Sequence, residues 1–526
     1  MRADYLTRYH QDYHGGFARL STGIVFTDGN LNYASSETGP GHTALGTGCY
    51  PYKSGILENN WYDKATKKSV YCVGDPTAGK VDGFGGGSSP KNLLVTAIGD
   101  WLKQSSPSSK VITASIKDRA AILMGGKHPD YAFWYSKSLG GFVTSEYYTH
   151  HLPDWVKTFN SSSWIEKNVP DAWTKSLPES VYDRIGPDEY PYEEQLVDEM
   201  EKQEHTSFPG RFGATKNPSG KKERTHSSFP HRFDKGKKGK EIVGTPYGDK
   251  IIVDFGIDAV KSEKLGQRGV TDLLCLSLSD CDYVGHAYGP DSHEVMDLLI
   301  KLDQYLGTFF ASIDSLVGKD NYVVALSADH GVCPLPEFNE QFRHIPARRF
   351  IYSKEVKPKI DSLNDALKTL LHTDEDVIVR NSFINYTAAK KAGYDSVHIE
   401  KKVEDGFLSI DAFTGVYFRR ELIAHSPSSK RFIQKFRNSY YAQRGEDFQL
   451  LKKENSVITS KPYGTSHGTP YDYDTHIPIV FWWNGVSSET VQREVHSIDI
   501  APTLAAYAGF SFPHSIDGKV LTEVVQ

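Results

Sequence analysis

Acidic and imidazole side chains recur in this sequence at the ends of apolar runs. "DYVGH" sets Asp282 and His286 four residues apart, "SADHG" sets Asp329 beside His330 directly after an apolar run, and "YGTSHGTP" supplies His467 just before another. Carboxylate oxygens and imidazole nitrogens are the ligands of catalytic zinc, whose sites keep a position open for water or substrate. In a chain with 20 histidines, one Asp-His pair reads more readily as a hydrogen-bonded turn. Three such elements at one edge of a sheet reverse that preference. Five ligands exceed the needs of one tetrahedral ion, so two metals are the natural count. Paired ions about 3.5–4 Å apart suit in-line displacement at phosphorus.

A nucleophile is then needed. In "ASSETGPGHTALGTGCYP" (34–51) the glycines and prolines predict a loop, with Thr38 at a bend. A threonine hydroxyl is almost fully protonated at neutral pH and attacks only when activated, for instance by a metal ion. "KVITASIKDR" (110–119) reads as a strand whose end carries Lys117 and Arg119. Residues i and i+2 of an extended segment share a face. Arg gives a fork and Lys a point charge, and both stabilise charge on equatorial phosphoryl oxygens. Taken alone, these two read as a solvated loop salt-bridged through Asp118. Asn59 offers an amide donor or serves as a turn residue.

The elements that must position these groups are apolar strands and one long helix. Strands are expected within 110–119, "DLLCLSLSDCD" (272–282), "NYVVALSADHG" (321–331) and "HIPIVFWW" (476–483). Between the second and third, Val295, Leu298, Leu299, Leu302, Leu306 and Phe309 recur at helical spacing. Strand, helix, strand implies a right-handed parallel crossover, hence an α/β fold with helices on both faces. Ligands of such sheets collect beyond the carboxyl ends of the strands, where the polar residues are expected.

The 526 residues are 38% hydrophobic and 24% charged, enough for a large core. The expected organisation is one domain over 1–526, with excursions at 196–245 and 346–462 and a return to the core at 463–526. From Arg211 to Lys240 there are ten Lys/Arg against two acids, and "HTSFPGRF" (205–212) is nearly repeated as "HSSFPHRF" (226–233). This stretch reads as a solvated, flexible insertion rather than a polyanion contact. A net charge of −6 gives no electrostatic case for a nucleic-acid partner. No run of 18 apolar residues exists, so no membrane-spanning helix is expected, and "MRADYLTRYH" has no signal-peptide h-region. The five cysteines form no CxxC pair.

"ETGPGHTALGTGCYPYKSGILENNWYDKATKKSVYC", with "SIKDRAAIL", "DYVGHAYGP", "SADHG" and "THIPIVF", strongly resembles the alkaline phosphatase superfamily, in its phosphate-irrepressible, PafA-type branch. The likeness runs over most of the chain. It implies a three-layer, doubly wound, mostly parallel sheet with inserted cap segments. It also implies hydrolysis of small-molecule phosphate monoesters through a phosphothreonine on Thr38, with two zinc ions. One zinc would be held by Asp282, His286 and His467, and the other by Asp329, His330 and Thr38. Asn59, Lys117 and Arg119 would hold the phosphoryl oxygens. Members of this branch are exported, which implies a periplasmic or extracellular, monomeric enzyme.

One departure stands out. The superfamily carries a further zinc-ligand aspartate on its first core strand, a few residues ahead of a segment like "MRADYL". This sequence opens inside that segment, and Asp4 lies beyond the expected position. A chain whose natural start lies upstream is the expectation, because loss of a core strand would expose edges and apolar surface. Three alternatives remain. A sulfatase would use a cysteine, and "CYPYK" (49–53) is superficially close to the sulfatase motif. A phosphodiesterase of the nucleotide pyrophosphatase type would share the metals and the threonine but lack the Lys117/Arg119 pair. A metal-depleted, phosphate-binding pseudoenzyme is the third.

Overall fold

The structure, a computed structural model, describes residues 1–193, 227–424 and 426–525. Its centre is built from two four-stranded sheets. The first contains β2 (Val111–Ser115), β3 (Tyr131–Ser136), β4 (Gly141–Val143) and β5 (Leu273–Ser277), in the order β4-β3-β2-β5. The second contains β1 (Ile24–Asn30), β6 (Val323–Ser327), β7 (Ile479–Trp483) and β8 (Glu489–His496), in the order β6-β7-β1-β8. β2 pairs parallel with β3 and β5, and β1 pairs parallel with β8. β4 and β7 run antiparallel to their neighbours. The fold is mixed α/β, as the alternation of apolar strands and amphipathic helices requires.

Two expectations change in detail. The expected strand over 272–282 ends at Ser277, and Asp282 lies on a helix instead. β7 does not present its carboxyl end to the site. Being antiparallel to β6, it turns its N-terminal end to the side where β6 terminates, and His467 reaches that side by preceding the strand.

Helices α1 (Gly16–Leu20), α2 (Thr38–Thr47), α3 (Ile98–Ser105), α4 (Asp118–Gly125), α5 (Pro246–Glu263), α6 (Asp280–Tyr288), α7 (His293–Leu316) and α8 (Ile500–Tyr507) cover the sheets. In one group α5, α6 and α1 pack on α7; in the other α3, α4 and α8 pack on α2. The α7 helix joins β5 to β6 and so connects the two sheets. Its N-cap is Ser292, whose hydroxyl accepts from the Val295 amide. Val295, Leu298, Leu299, Leu302 and Leu306 are buried as their spacing predicts, but Phe310 rather than Phe309 is the buried aromatic.

Among the described residues, β5 and β6 each hydrogen-bond to one neighbour only. Leu273–Leu276 and all of β6 stay part-exposed although they are mostly apolar, whereas every residue of β2, flanked on both sides, is buried.

Residues 346–462 gather a core of their own, including Phe350, Ile399, Val403, Phe407, Phe413 and Phe448. Of the basic stretch, residues 194–226, with the first copy of the small duplication, lie outside the described residues. Further on, His231–Arg232 pairs with Ala172–Trp173, and Ile242 and Val243 are buried. No helix among the described residues is long and apolar enough to cross a membrane.

Candidate metal centre and phosphoryl pocket

Thr38 is the first residue of a helix, not part of a loop. Pro40 falls in the first turn of α2, where backbone N–H groups have no intrahelical partner. Gly48, at φ 63°, ends the helix in the left-handed region. The glycine at 41 answers to tertiary contact: a Cβ there would come within 2.5 Å of the Asp329 carbonyl oxygen. The α2 helix thus lies directly on the backbone of Asp329. Close approach overrides helix propensity here.

Asp282 and His286 sit one turn apart on α6. Asp329 and His330 follow β6 in a loop. His467 lies in the loop ahead of β7, a loop fixed from several directions. Thr465 donates its amide to the His286 carbonyl (2.7 Å), Cys333 donates to Ser466 O (3.1 Å), and the Thr469 amide and hydroxyl donate to Asp474 Oδ2 (2.9 and 2.6 Å).

The imidazoles are oriented alike. Nδ1 of His286 lies 2.8 Å from Thr465 O, Nδ1 of His330 2.8 Å from Gly331 O, and Nδ1 of His467 2.6 Å from Ser36 O. Each Nδ1 faces a carbonyl and so carries the proton, which leaves three Nε2 lone pairs. These point to one oxygen: Asp282 Oδ1 is 3.4 Å from His286 Nε2, 3.5 Å from His467 Nε2 and 3.8 Å from His330 Nε2. Electron-pair donors face one another with no hydrogen between them, and Asp282 Oδ1 and His330 Nε2 are buried without a hydrogen-bond partner. That arrangement fits a cation. Carbonyl-anchored imidazoles are the usual orientation of metal-ligating histidine. The expected second set shares His330, whose Nε2 is 3.3 Å from Asp329 Oδ2. The only other such convergence among the described residues, Glu179, Asp188 and His293, has the Lys175 ammonium against both carboxylates (2.5 and 3.1 Å).

Charge follows the same geometry. Burial alone would raise the Asp282 carboxyl, but the Lys117 ammonium holds it well below the usual range. Asp329 is likewise held down, against burial, by His330 and His42. Burial and neighbouring imidazoles keep His467 neutral, the form that binds metal.

The phosphoryl side differs from the strand-end expectation. β2 stops at Ser115, Lys117 is the N-cap of α4 and Arg119 lies in its first turn. Both side chains still reach the site. Lys117 Nζ contacts Asp282 Oδ2 at 2.5 Å, and Arg119 Nη2 lies 3.5 Å from the Thr38 hydroxyl. Asp118 forms no ion pair with either side chain: it accepts from Tyr71 OH (2.5 Å), Ser88 Oγ (2.9 Å) and the Arg119 backbone amide (2.7 Å). That removes the solvated-loop reading. Asn59 Oδ1 accepts from the Gly39 amide (2.7 Å), which leaves its amide nitrogen as a donor. Tyr71, 3.4 Å from Arg119 Nη1, and Tyr283, whose ring lies 4.7 Å from Lys117 Nζ, also border the pocket. Nothing in their local sequence marks them. Cys49 is buried beside Asp517, and burial pushes its thiol up to about 11, unlike an activated cysteine.

The family model for type I phosphodiesterase/nucleotide pyrophosphatase matches residues 1–472. The chain belongs to that family. It is 33% identical to the alkaline phosphatase PafA of Elizabethkingia meningoseptica, over all of this chain and 92% of that protein. It is 34% identical to the alkaline phosphatase PhoV of Synechococcus elongatus, over all of this chain and 91% of that one. The crystal structure of wild-type PafA superposes with a TM-score of 0.86 at 30% identity, covering all of this chain and 97% of that one. The chain is thus of the PafA type within the alkaline phosphatase superfamily. An equally similar structure is a PafA variant with a threonine, an asparagine, a lysine and an arginine altered together.

Asp474 makes a stability prediction for the His467 loop. Burial raises its carboxyl to about 7 from 3.8, against the hydrogen bonds from Thr469. A raised native value means that the stabilisation is complete below about pH 4 and declines as pH rises through 7. Relative to Asp474→Asn, the wild-type chain is expected to lose on the order of a few kcal/mol between pH 4 and 8. Urea midpoints measured for both across that range would check it. A constant difference would contradict it.

Proposed function

We propose that the chain hydrolyses phosphate monoesters through a phosphothreonine on Thr38, with two zinc ions held by Asp282, His286 and His467 and by Asp329, His330 and Thr38. The chain is a phosphatase by its full-length kinship with alkaline phosphatases. The observation that carries the metal reading is the meeting of three proton-free imidazole nitrogens on the Asp282 carboxylate. When bound, such ions would supply Lewis-acid stabilisation of the attacking and leaving oxygens.

The chain's own residues do the rest. Arg119 sits beside the Thr38 hydroxyl, so its positive charge favours the ionised oxygen and meets the incoming phosphoryl group. Thr38 Oγ1 bonds to phosphorus as the ester P–O bond breaks. The threonine proton passes to solvent and the alcohol leaves protonated. Asn59, Lys117 and Arg119 hold the equatorial oxygens through a loose transition state. Water then splits the phosphothreonine, releasing phosphate and restoring the hydroxyl. The four residue types altered together in the PafA variant are those of Thr38, Asn59, Lys117 and Arg119, which supports their joint role. An exported, monomeric enzyme acting on small molecules is part of the proposal.

The family description favours one second reading, a phosphodiesterase. A monoester carries one more negative charge than a diester, and the pocket offers two cations, Lys117 and Arg119, for it. The test is metal analysis of the purified chain combined with turnover of labelled mono- and diesters. Two zinc ions per chain, label on Thr38 after acid quenching and a strong monoester preference are expected. Equal turnover of diesters would favour the second reading, and one ion or none without turnover would favour a pseudoenzyme.

A further inference from the structure

His42 belongs to the Gly41-His42-Thr43 segment but has no part in the metal or phosphoryl sets. It lies one turn beyond Thr38 on α2 and is only 6% exposed. Its Nδ1 is 2.9 Å from the Thr38 carbonyl and 3.2 Å from Asp329 Oδ2. Its Nε2 is 2.9 Å from Ser277 Oγ at the end of β5. Nδ1 faces two acceptors and must carry the proton; Nε2 therefore accepts from Ser277.

The hydrogen bonds continue beyond Ser277. Its Oγ lies 3.3 Å from Ser279 Oγ, which lies 3.1 Å from Ser115 Oγ, which accepts from the Lys117 amide at 3.1 Å. All three serines are buried. One direction satisfies the whole string: Lys117 N–H to Ser115, Ser115 O–H to Ser279, Ser279 O–H to Ser277, Ser277 O–H to His42, and His42 N–H to Asp329. Every hydroxyl donates once and accepts once, and such chains polarise each other cooperatively. Through His42 the string reaches from Ser277 at the end of β5 to Asp329 just past the end of β6.

We infer that His42 is a positioning residue. Through Nδ1 it fixes Asp329, and through Ser277, Ser279 and Ser115 it ties the nucleophile helix to the start of the Lys117 segment. The inference rests on the two-metal reading above. Asparagine can mimic Nδ1, and glutamine Nε2, so the two halves of the role separate. His42→Gln is expected to weaken ion retention against a chelator by about 10- to 100-fold, the usual cost of losing a partner of a metal ligand. His42→Asn should recover retention to within a few-fold. Ser277→Ala should keep both ions and lower kcat about tenfold with little change in KM, as expected for displaced transition-state donors.

The measurements are chelator competition, ion content and kcat and KM for one monoester, on the full chain with folding verified by circular dichroism. Wild-type ion retention in both His42 variants, or equal loss in both, would overturn the inference while leaving the metal reading intact. So would an unchanged kcat in Ser277→Ala. A wild-type chain that retains no ion would overturn the metal reading and this inference with it.

Discussion

Thr38→Ala is expected to lower monoester turnover by on the order of 10⁴- to 10⁶-fold, the scale of nucleophile removal in covalent catalysis, and to abolish acid-stable label on the protein. Thr38 is 1% exposed, and its hydroxyl lies 3.5 Å from Arg119 Nη2. Its backbone opens α2, whose packing on Asp329 does not depend on the threonine hydroxyl, so the loss is chemical rather than structural. Thr38→Ser keeps an oxygen at the same Cβ and should restore both label and turnover in large part. Rapid-quench kinetics are decisive. A stoichiometric burst that persists in Thr38→Ala means that the attacking oxygen is elsewhere.

The second expected result is selective. Lys117→Ala and Arg119→Ala should each cost monoesters roughly 10²- to 10³-fold in kcat/KM, the range for losing one donor aimed at transition-state charge. Diesters, with one negative charge fewer on phosphorus, should lose far less. Lys117 also neutralises Asp282 through Oδ2 while Oδ1 faces the imidazoles. Ion content must therefore be measured beside the rates, to separate loss of the phosphoryl contact from loss of metal. Equal losses on both ester classes, with ions retained, would remove the reason for preferring a monoesterase.

The chemistry-bearing residues were legible because they cluster after apolar runs: Asp329 and His330 follow β6, and Asp282 and His286 sit four apart. The long helix between β5 and β6 could be read from its leucine spacing. What misled was glycine. The segment from Thr38 to Thr47 looks like a loop on propensity, yet it is a helix because Gly41 permits contact with Asp329 that no side chain would allow. Arg119 approaches Thr38 from a helix start rather than from the extended face its spacing suggested. His42, Tyr71, Ser277 and Ser279 meet partners dozens to hundreds of residues away, and no spacing rule encodes such meetings.

The candidate site residues are divided between the two sheets. Thr38, Asp329, His330 and His467 ride with β1, β6 and β7, whereas Lys117, Arg119, Asp282 and His286 ride with β2 and β5. Among the described residues, no rung of backbone hydrogen bonds joins β5 to β6. What joins them is the packing of α4 on α2, the helices that carry Arg119 and Thr38. Misplacement by about 1 Å can cost 10²-fold in rate. Under the proposed mechanism, turnover can accordingly be tuned at that packing, without altering any residue that meets the substrate.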